Sequence, residues 1–141
     1  MTREFEDCVK RRQIIKFDRA PELASKELAE SRSDLTAAEA SALAKNFKWA
    51  IIQSYYSMFH AARALIYSRG YRERSHRCLI IALRSLFVPD GLLNAKLVES
   101  LLFAKTLREN ADYYGEFSED AASQLIQDAR DFQKIAKKVA G

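Results

Sequence analysis

The sequence predicts an all-α fold, an up-and-down bundle of four to five main helices with a short helix at its N-terminal end. Three observations point there. Only four glycines and two prolines occur in 141 residues, too little turn punctuation for a chain of many β-hairpins. Apolar residues recur at helical spacing over long stretches. Hydrophobic residues make up 48% and charged residues 30%, the balance of a globular chain and not of a disordered one. The expected organisation is one helical domain over residues 1–141, with 1–17 as an N-terminal extension.

Thr2 to Lys16 reads as a charged helix with Phe5, Val9 and Ile14 as sparse apolar contacts. Phe17-Asp18-Arg19-Ala20-Pro21 interrupts it. Asp18 is suited to cap the next helix, and a proline is tolerated in a first turn, where its missing N–H has no partner to lose. That helix is expected to reach about Arg32, with Leu23, Ala24 and Leu28 on one face. Ser33-Asp34-Leu35-Thr36 reads as a break, because Thr36 followed three residues later by Glu39 is a capping-box signature.

The central helix, roughly Asn46 to Arg69, is the most informative element. Phe47, Ile51, Ser54, Tyr55, Met58, Ala62, Leu65 and Ile66 share one stripe, and Ile52, Tyr56, Phe59 and Tyr67 form a second. A helix that is apolar on two sides must be surrounded, so it belongs in the middle of a bundle. Gly70 ends it as a left-handed cap. Tyr71 to Arg74 is expected to be a short basic loop, and Ser75 to cap a helix through roughly Phe87. Pro89-Asp90-Gly91 is a turn. A long helix follows from about Leu92 to Tyr113, ended by Gly115, and Ser118 caps the last one, striped by Ala122, Leu125, Ile126, Ala129, Phe132, Ala136 and Val139.

Net charge is +4 and the pI is near 9.1, which permits contact with nucleic acid or an acidic partner without requiring either. No apolar run approaches the ~18 residues that a membrane span needs. Cys8 and Cys78 have no metal-type spacing and are too few for a disulfide framework. The expectation is a cytoplasmic protein with reduced thiols and no membrane contact. No phosphate loop, HExxH, CxxC or nucleophile elbow occurs, and no cofactor or metal site is expected.

Three groupings can carry chemistry. Gln53, Ser57, His60 and Arg63 fall at spacings of three and four on one face of the central helix. Such a strip needs partners, because a buried unpaired polar group costs ~1–3 kcal/mol. Arg69, Arg72, Arg74, His76 and Arg77 crowd a turn beside a helix N-terminus, where they form either a solvated turn or a phosphate site. Arg108 and Asp112, at i, i+4, sit with Tyr113 and Tyr114 at the end of the long helix. They are equally suited to a structural network and to a site.

The run Ser54-Tyr55-Tyr56-Ser57-Met58-Phe59-His60-Ala61-Ala62-Arg63-Ala64-Leu65, then Ser68-Arg69-Gly70-Tyr71, Ser75-His76 and Arg108-Glu109-Asn110-Ala111-Asp112-Tyr113 resembles the HEPN family (higher eukaryotes and prokaryotes nucleotide-binding). The likeness is strongest to its small stand-alone prokaryotic members, and it is spread from about Ala20 to Lys138. It implies a bundle of four or five helices that dimerises. It also implies a gene neighbour encoding a small nucleotidyltransferase, in a two-component or toxin–antitoxin module. Many members are metal-independent ribonucleases that use an arginine and, four to six residues on, a histidine. Histidine moves protons near neutral pH, and arginine stabilises the phosphate in the transition state. Here the motif arginine corresponds to Arg108, and five residues on stands Tyr113 in place of histidine. Arg69 and His76 meet the spacing formally, in a different loop.

Three readings therefore stand side by side. The first is a partner of a small nucleotidyltransferase that binds nucleotide or RNA and acts as a homodimer. The second is a ribonuclease with a non-standard site drawn from His76, Arg69 and Arg108, with His60, Arg63, Arg72, Arg74, Asp112 and Tyr113 as ligand-binding candidates. The third is a structural helical adaptor. By the same resemblance, Tyr113 and Tyr114 are candidates for adenylylation by the partner enzyme.

Overall fold

In the computed structural model, which describes residues 2–141, six helices and one short two-stranded ribbon follow the order α1 (Arg3–Lys10), β1 (Ile14–Lys16), α2 (Ala20–Leu43), α3 (Phe47–Ser68), β2 (Tyr71–Glu73), α4 (His76–Leu86), α5 (Ala95–Tyr114) and α6 (Glu119–Ala140). The expected all-α bundle is what forms. Helix α3 lies at its centre and touches α2, α4, α5, α6 and β2. Beyond its first turn only Tyr56 is exposed, while Ile51, Met58, Leu65 and Ile66 are completely enclosed. Burying each such side chain stabilises the fold by roughly 1.5–3 kcal/mol.

The stop and start signals largely hold. Asn46 caps α3, Ser75 caps α4 through a bond from the Cys78 N–H at 3.1 Å, and Ser118 caps α6 through the Ala121 N–H at 3.1 Å. Gly115, at φ 63°, ends α5 in the left-handed conformation. Asn94, not a residue near Leu92, caps α5.

Four expectations give way. The first segment is not one helix to Lys16. It ends at Lys10, turns through Arg12 at φ 57°, and continues as β1. Strand β1 pairs antiparallel with β2, Ile15 opposite Arg72, so Tyr71–Glu73 is a strand and not a loop. Asp18 is not the cap of α2. Arg19 holds that position without a side-chain bond, while Pro21 lies in the first turn as expected. The break at Ser33–Thr36 does not occur, and α2 runs unbroken to Leu43. Neither glycine nor proline interrupts that stretch, and Ser31 and Ala38 are buried against the bundle, so packing overrides a local capping signal.

A fifth correction concerns the cysteines. Helix α1 packs on α4, with the Thr2 N–H donating to the Ser85 hydroxyl at 3.1 Å. This brings the Cys8 and Cys78 Cα atoms to 6.0 Å, and the two are joined in a disulfide instead of being free thiols. The bond spans 70 residues and is itself buried. Closing a loop of that length stabilises the fold by about 4 kcal/mol in the chain-entropy account. Two expectations follow for the oxidised protein. Unfolded without reductant, it takes up no thiol-alkylating label, and reduction lowers its melting temperature by roughly 10 °C. Full labelling of both cysteines in the unreduced protein would refute the bond.

Candidate functional site

The polar strip of α3 meets a matching strip on α2. Glu27, Ser31 and Asp34 fall at i, i+4 and i+7, one face of the unbroken helix. The two helices run antiparallel, so their polar residues pair in reverse order. His60 Nδ1 lies 2.6 Å from Glu27, and its Nε2 is 3.8 Å from Asp34. The Ser31 and Ser57 hydroxyls each donate to the other residue's carbonyl at 2.8 Å. The Gln53 amide meets the Ser41 hydroxyl at 2.7 Å. Arg63 is held by Glu27 at 3.5 Å, by Glu73 of β2 at 3.2 Å, and by the Tyr67 hydroxyl. Sequence reading found the α3 half of this seam and missed Glu27, Asp34 and Glu73. The 27–31–34 spacing was there to be read, but the expected break at Ser33 hid it. His60 and Arg63 thus point at protein carboxylates. The Glu27 hydrogen bond raises the His60 pKa; burial opposes it, while the negative charges of Glu27 and Asp34 add to the rise.

A second corner lies where α3, α4 and α5 meet. Its floor is Tyr55, buried on α3 and bracketed by Tyr56 and Phe59. Because Ser75 caps α4, His76 is that helix's first residue. Its ring stacks on Tyr55 with centroids 6.3 Å apart and planes 27° apart. From α5, the Arg108 guanidinium carbon lies 5.2 Å from the Tyr55 ring centre, 5.8 Å from Tyr56 and 5.9 Å from Tyr113. Ala104 and Ala111, one turn either side of Arg108, are fully buried, and their small side chains let α5 approach α3 closely. Ring faces attract a guanidinium without consuming its N–H donors. The carboxylate it pairs with, Asp112, is 3.9 Å away, at the limit of an ion pair.

The corner is also short of partners. His76 Nε2 and Arg108 Nε are enclosed yet have no hydrogen-bond partner among the described residues. Native structures leave few such groups unpaired. Burial pushes the His76 pKa below its ordinary 6.5, helped by the positive charges of Lys105 and Arg108 and opposed by Glu109. At pH 7 the ring is therefore neutral and can accept a proton. Burial pushes the Tyr55 hydroxyl up to about 12, against the pull of Arg108, so it stays protonated.

Of the expected catalytic candidates, His76 and Arg108 come together on Tyr55. Arg69 does not join them; its guanidinium lies over Phe87 at 4.6 Å. Arg72 lies over Phe17 at 6.0 Å, and Arg74 is exposed beside the ribbon. Asp112 and Tyr113 flank Arg108. Tyr113 and Tyr114 are 66% and 72% exposed, open to a modifying enzyme. Among the described residues, no three His, Cys, Asp or Glu side chains are grouped to hold a metal ion.

A family model, the HEPN domain, matches residues 24–139. A protein named "UPF0332 protein" from Archaeoglobus fulgidus is 36% identical over 86 residues, covering 60% of this chain and 68% of its own length. A protein named "Putative toxin MJ0605" from Methanocaldococcus jannaschii is 28% identical over 95 residues, covering 67% of this chain and 71% of its own.

The seam yields a pH prediction. Because the folded pKa of His60 is raised, its contribution to stability is full below the unfolded value of 6.5 and is lost as pH rises through the folded pKa. The stability gap between wild type and His60→Gln, measured by denaturant melts, should therefore be larger at pH 6 than at pH 9. A gap independent of pH would refute the charged His60–Glu27 pair.

Proposed function

The chain belongs to the HEPN family, and from that premise we propose that it is a toxin-like member whose His76–Arg108 corner binds and cuts an RNA strand. One observation carries this reading. A neutral histidine and a cationic arginine meet on one buried ring, each with an enclosed nitrogen that nothing in the fold satisfies. An RNA strand supplies what both lack, phosphate oxygens that accept from the guanidinium and a ribose 2′-hydroxyl that donates to the imidazole.

The chemistry follows from the groups. His76 takes the proton of the ribose 2′-hydroxyl as its oxygen attacks phosphorus. Arg108 stabilises the negative charge that grows on the phosphoryl oxygens. The bond to the 5′-oxygen breaks, that oxygen takes a proton from solvent, and a 2′,3′-cyclic phosphate and a 5′-hydroxyl result. The site tyrosines offer stacking surfaces for the flanking bases.

The chain works in this reading as a homodimer in the cytoplasm with a small nucleotidyltransferase as partner. Phe103, Tyr113, Tyr114 and Phe117 are exposed aromatic side chains on and after α5, apolar surface suited to a second copy. No helix among the described residues is long and apolar enough to cross a membrane. The Cys8–Cys78 bond is compatible with a reducing compartment, because both sulfur-bearing residues are almost wholly buried and a thiolate must reach a disulfide to reduce it.

A second reading has its own support. Tyr113 stands where the family's histidine is expected, exposed and within 5.9 Å of Arg108. In this reading the partner transfers AMP to the Tyr113 hydroxyl, which attacks the α-phosphorus of ATP and releases pyrophosphate. The new phosphate then neutralises Arg108, and the chain is a regulated partner whether or not it cuts RNA.

RNA cleavage in the presence of EDTA should fall by at least about 10²-fold in His76→Ala and in Arg108→Ala, from the usual weight of one acid–base or one oxyanion group. Its acid limb should lie below pH 6.5, since the His76 pKa is lowered. Cleavage that survives both substitutions would sink the catalytic reading. Incubation with the partner enzyme and ATP should add AMP to the peptide covering Leu107 to Glu116. An unmodified peptide would dispose of the second reading.

A further inference from the structure

The N-terminal segment lies outside the family match, which begins at residue 24, yet it contributes most of an unpaired cationic surface. The turn after α1 and strand β1 present Arg11, Arg12 and Lys16, and the far side of the ribbon presents Arg74 and, at the first turn of α4, Arg77. All five are exposed, and none makes an ion pair among the described residues. Other exposed cations, Arg32, Lys137 and Lys138 among them, are also without an ion pair, but these five lie in two short stretches, 11–16 and 74–77, that the pairing of β1 with β2 brings together.

These cations border three neighbouring depressions. A depression of about 290 Å³ is bordered by Arg12, Lys16 and Arg74. The next, of about 110 Å³, is bordered by Arg11, Gln13, Ser75 and Arg77. Arg77 also borders the third, a groove of about 400 Å³ that contains His76, Arg84 and Lys105. The second and third depressions thus share Arg77, and the first and second are bordered by chain neighbours, Arg12 beside Arg11 and Arg74 beside Ser75. Two acids, Asp7 and Glu4, line the second and third depressions, so cations outnumber anions along them. The backbone supports the arrangement. The Arg74 N–H donates to the Gln13 carbonyl at 2.8 Å, and the disulfide fixes the end of α1 to the first turn of α4. Arg12 takes φ 57°, a conformation in which glycine or asparagine is usual.

We propose that this surface is a track for the phosphate backbone of single-stranded RNA, leading the strand from the ribbon to the His76–Arg108 corner. The proposal rests on reading that corner as an RNA site, and adds where the rest of the strand lies. Spaced, unpaired arginines suit successive phosphates. The strand is single because in-line attack by a 2′-hydroxyl needs a backbone free to rotate, which a duplex does not allow.

The test is fluorescence anisotropy with a labelled 12-nucleotide RNA, 2′-O-methylated so that it cannot be cut. Arg12→Glu/Lys16→Glu/Arg74→Glu should bind at least tenfold more weakly than wild type at moderate salt. Its slope of log affinity against log salt should be shallower by roughly 2, at about 0.7 for each phosphate that is no longer neutralised. Lys137→Glu/Lys138→Glu, at the far end of α6, should bind as wild type does. Cleavage of a dinucleotide, too short to reach the track, should be unchanged in Arg12→Glu/Lys16→Glu. His76→Ala should retain affinity for the methylated RNA. If the wild type binds this RNA and leaves the unmethylated strand uncut, the catalytic reading falls and the track stands. Equal affinity of the triple variant and wild type overturns the track, as does an equal loss in the α6 variant. A wild type that binds a duplex of the same length more tightly overturns the single-strand assignment.

Discussion

Helix α3 can show almost no face to water, and the rest of the structure depends on that. An amphipathic helix needs one covered side, whereas α3 carries apolar stripes on two. Four helices and the ribbon must therefore surround it. Each neighbour then acquires its own orientation. Helix α2 lies along the polar seam, α6 and α5 cover the apolar sides, and α4 closes the end where His76 enters. The candidate site is a consequence of that enclosure. Tyr55 reaches His76 and Arg108 only because α4 and α5 both pack against the helix that bears it.

The two histidines show how far pairing, and not residue type, decides chemistry. His60 sits between two carboxylates and beside an arginine that is itself paired twice. Its nitrogens have partners, and its charge supports the fold. His76 has a ring on one side, cations nearby and an enclosed nitrogen with no partner. The first environment favours the protonated form and the second the neutral form. Arg63 and Arg108 repeat the contrast. Both lie over aromatic rings, but Arg63 directs its donors to Glu27, Glu73 and Tyr67, whereas the Arg108 Nε is enclosed without a partner. The seam holds α2, α3 and β2 together, and the corner is left with unmet hydrogen-bonding capacity.

The N-terminal segment is joined to the bundle in three ways: Phe5 packs edge-on against Tyr71, β1 pairs with β2, and Cys8 bonds to Cys78. Together they hold a charged stretch, with little apolar surface of its own, against the first turn of α4. A chain segment with so few apolar contacts would otherwise detach readily. Because Cys78 is two residues from His76, the same attachment fixes the approach to the corner.

The sequence alone determined the helical class, the central place of α3, the glycine stops after α3 and α5, the serine caps of α4 and α6, and the residue types of the site. All of these depend on periodicity or on a neighbour within four residues, so they are written locally. It also named His76 and Arg108 as candidates, from a pattern that left Arg69 with equal standing. Only the tertiary structure decided that Arg69 lies over Phe87 while His76 and Arg108 share Tyr55, that Glu27 and Asp34 complete the α3 strip, and that Ser33 sits inside a continuous helix. It alone paired Cys8 with Cys78 and Ile15 with Arg72. These contacts join residues far apart in the chain, and their energy appears only once the apolar faces of α3 are covered and distant groups are brought within hydrogen-bonding or bonding reach.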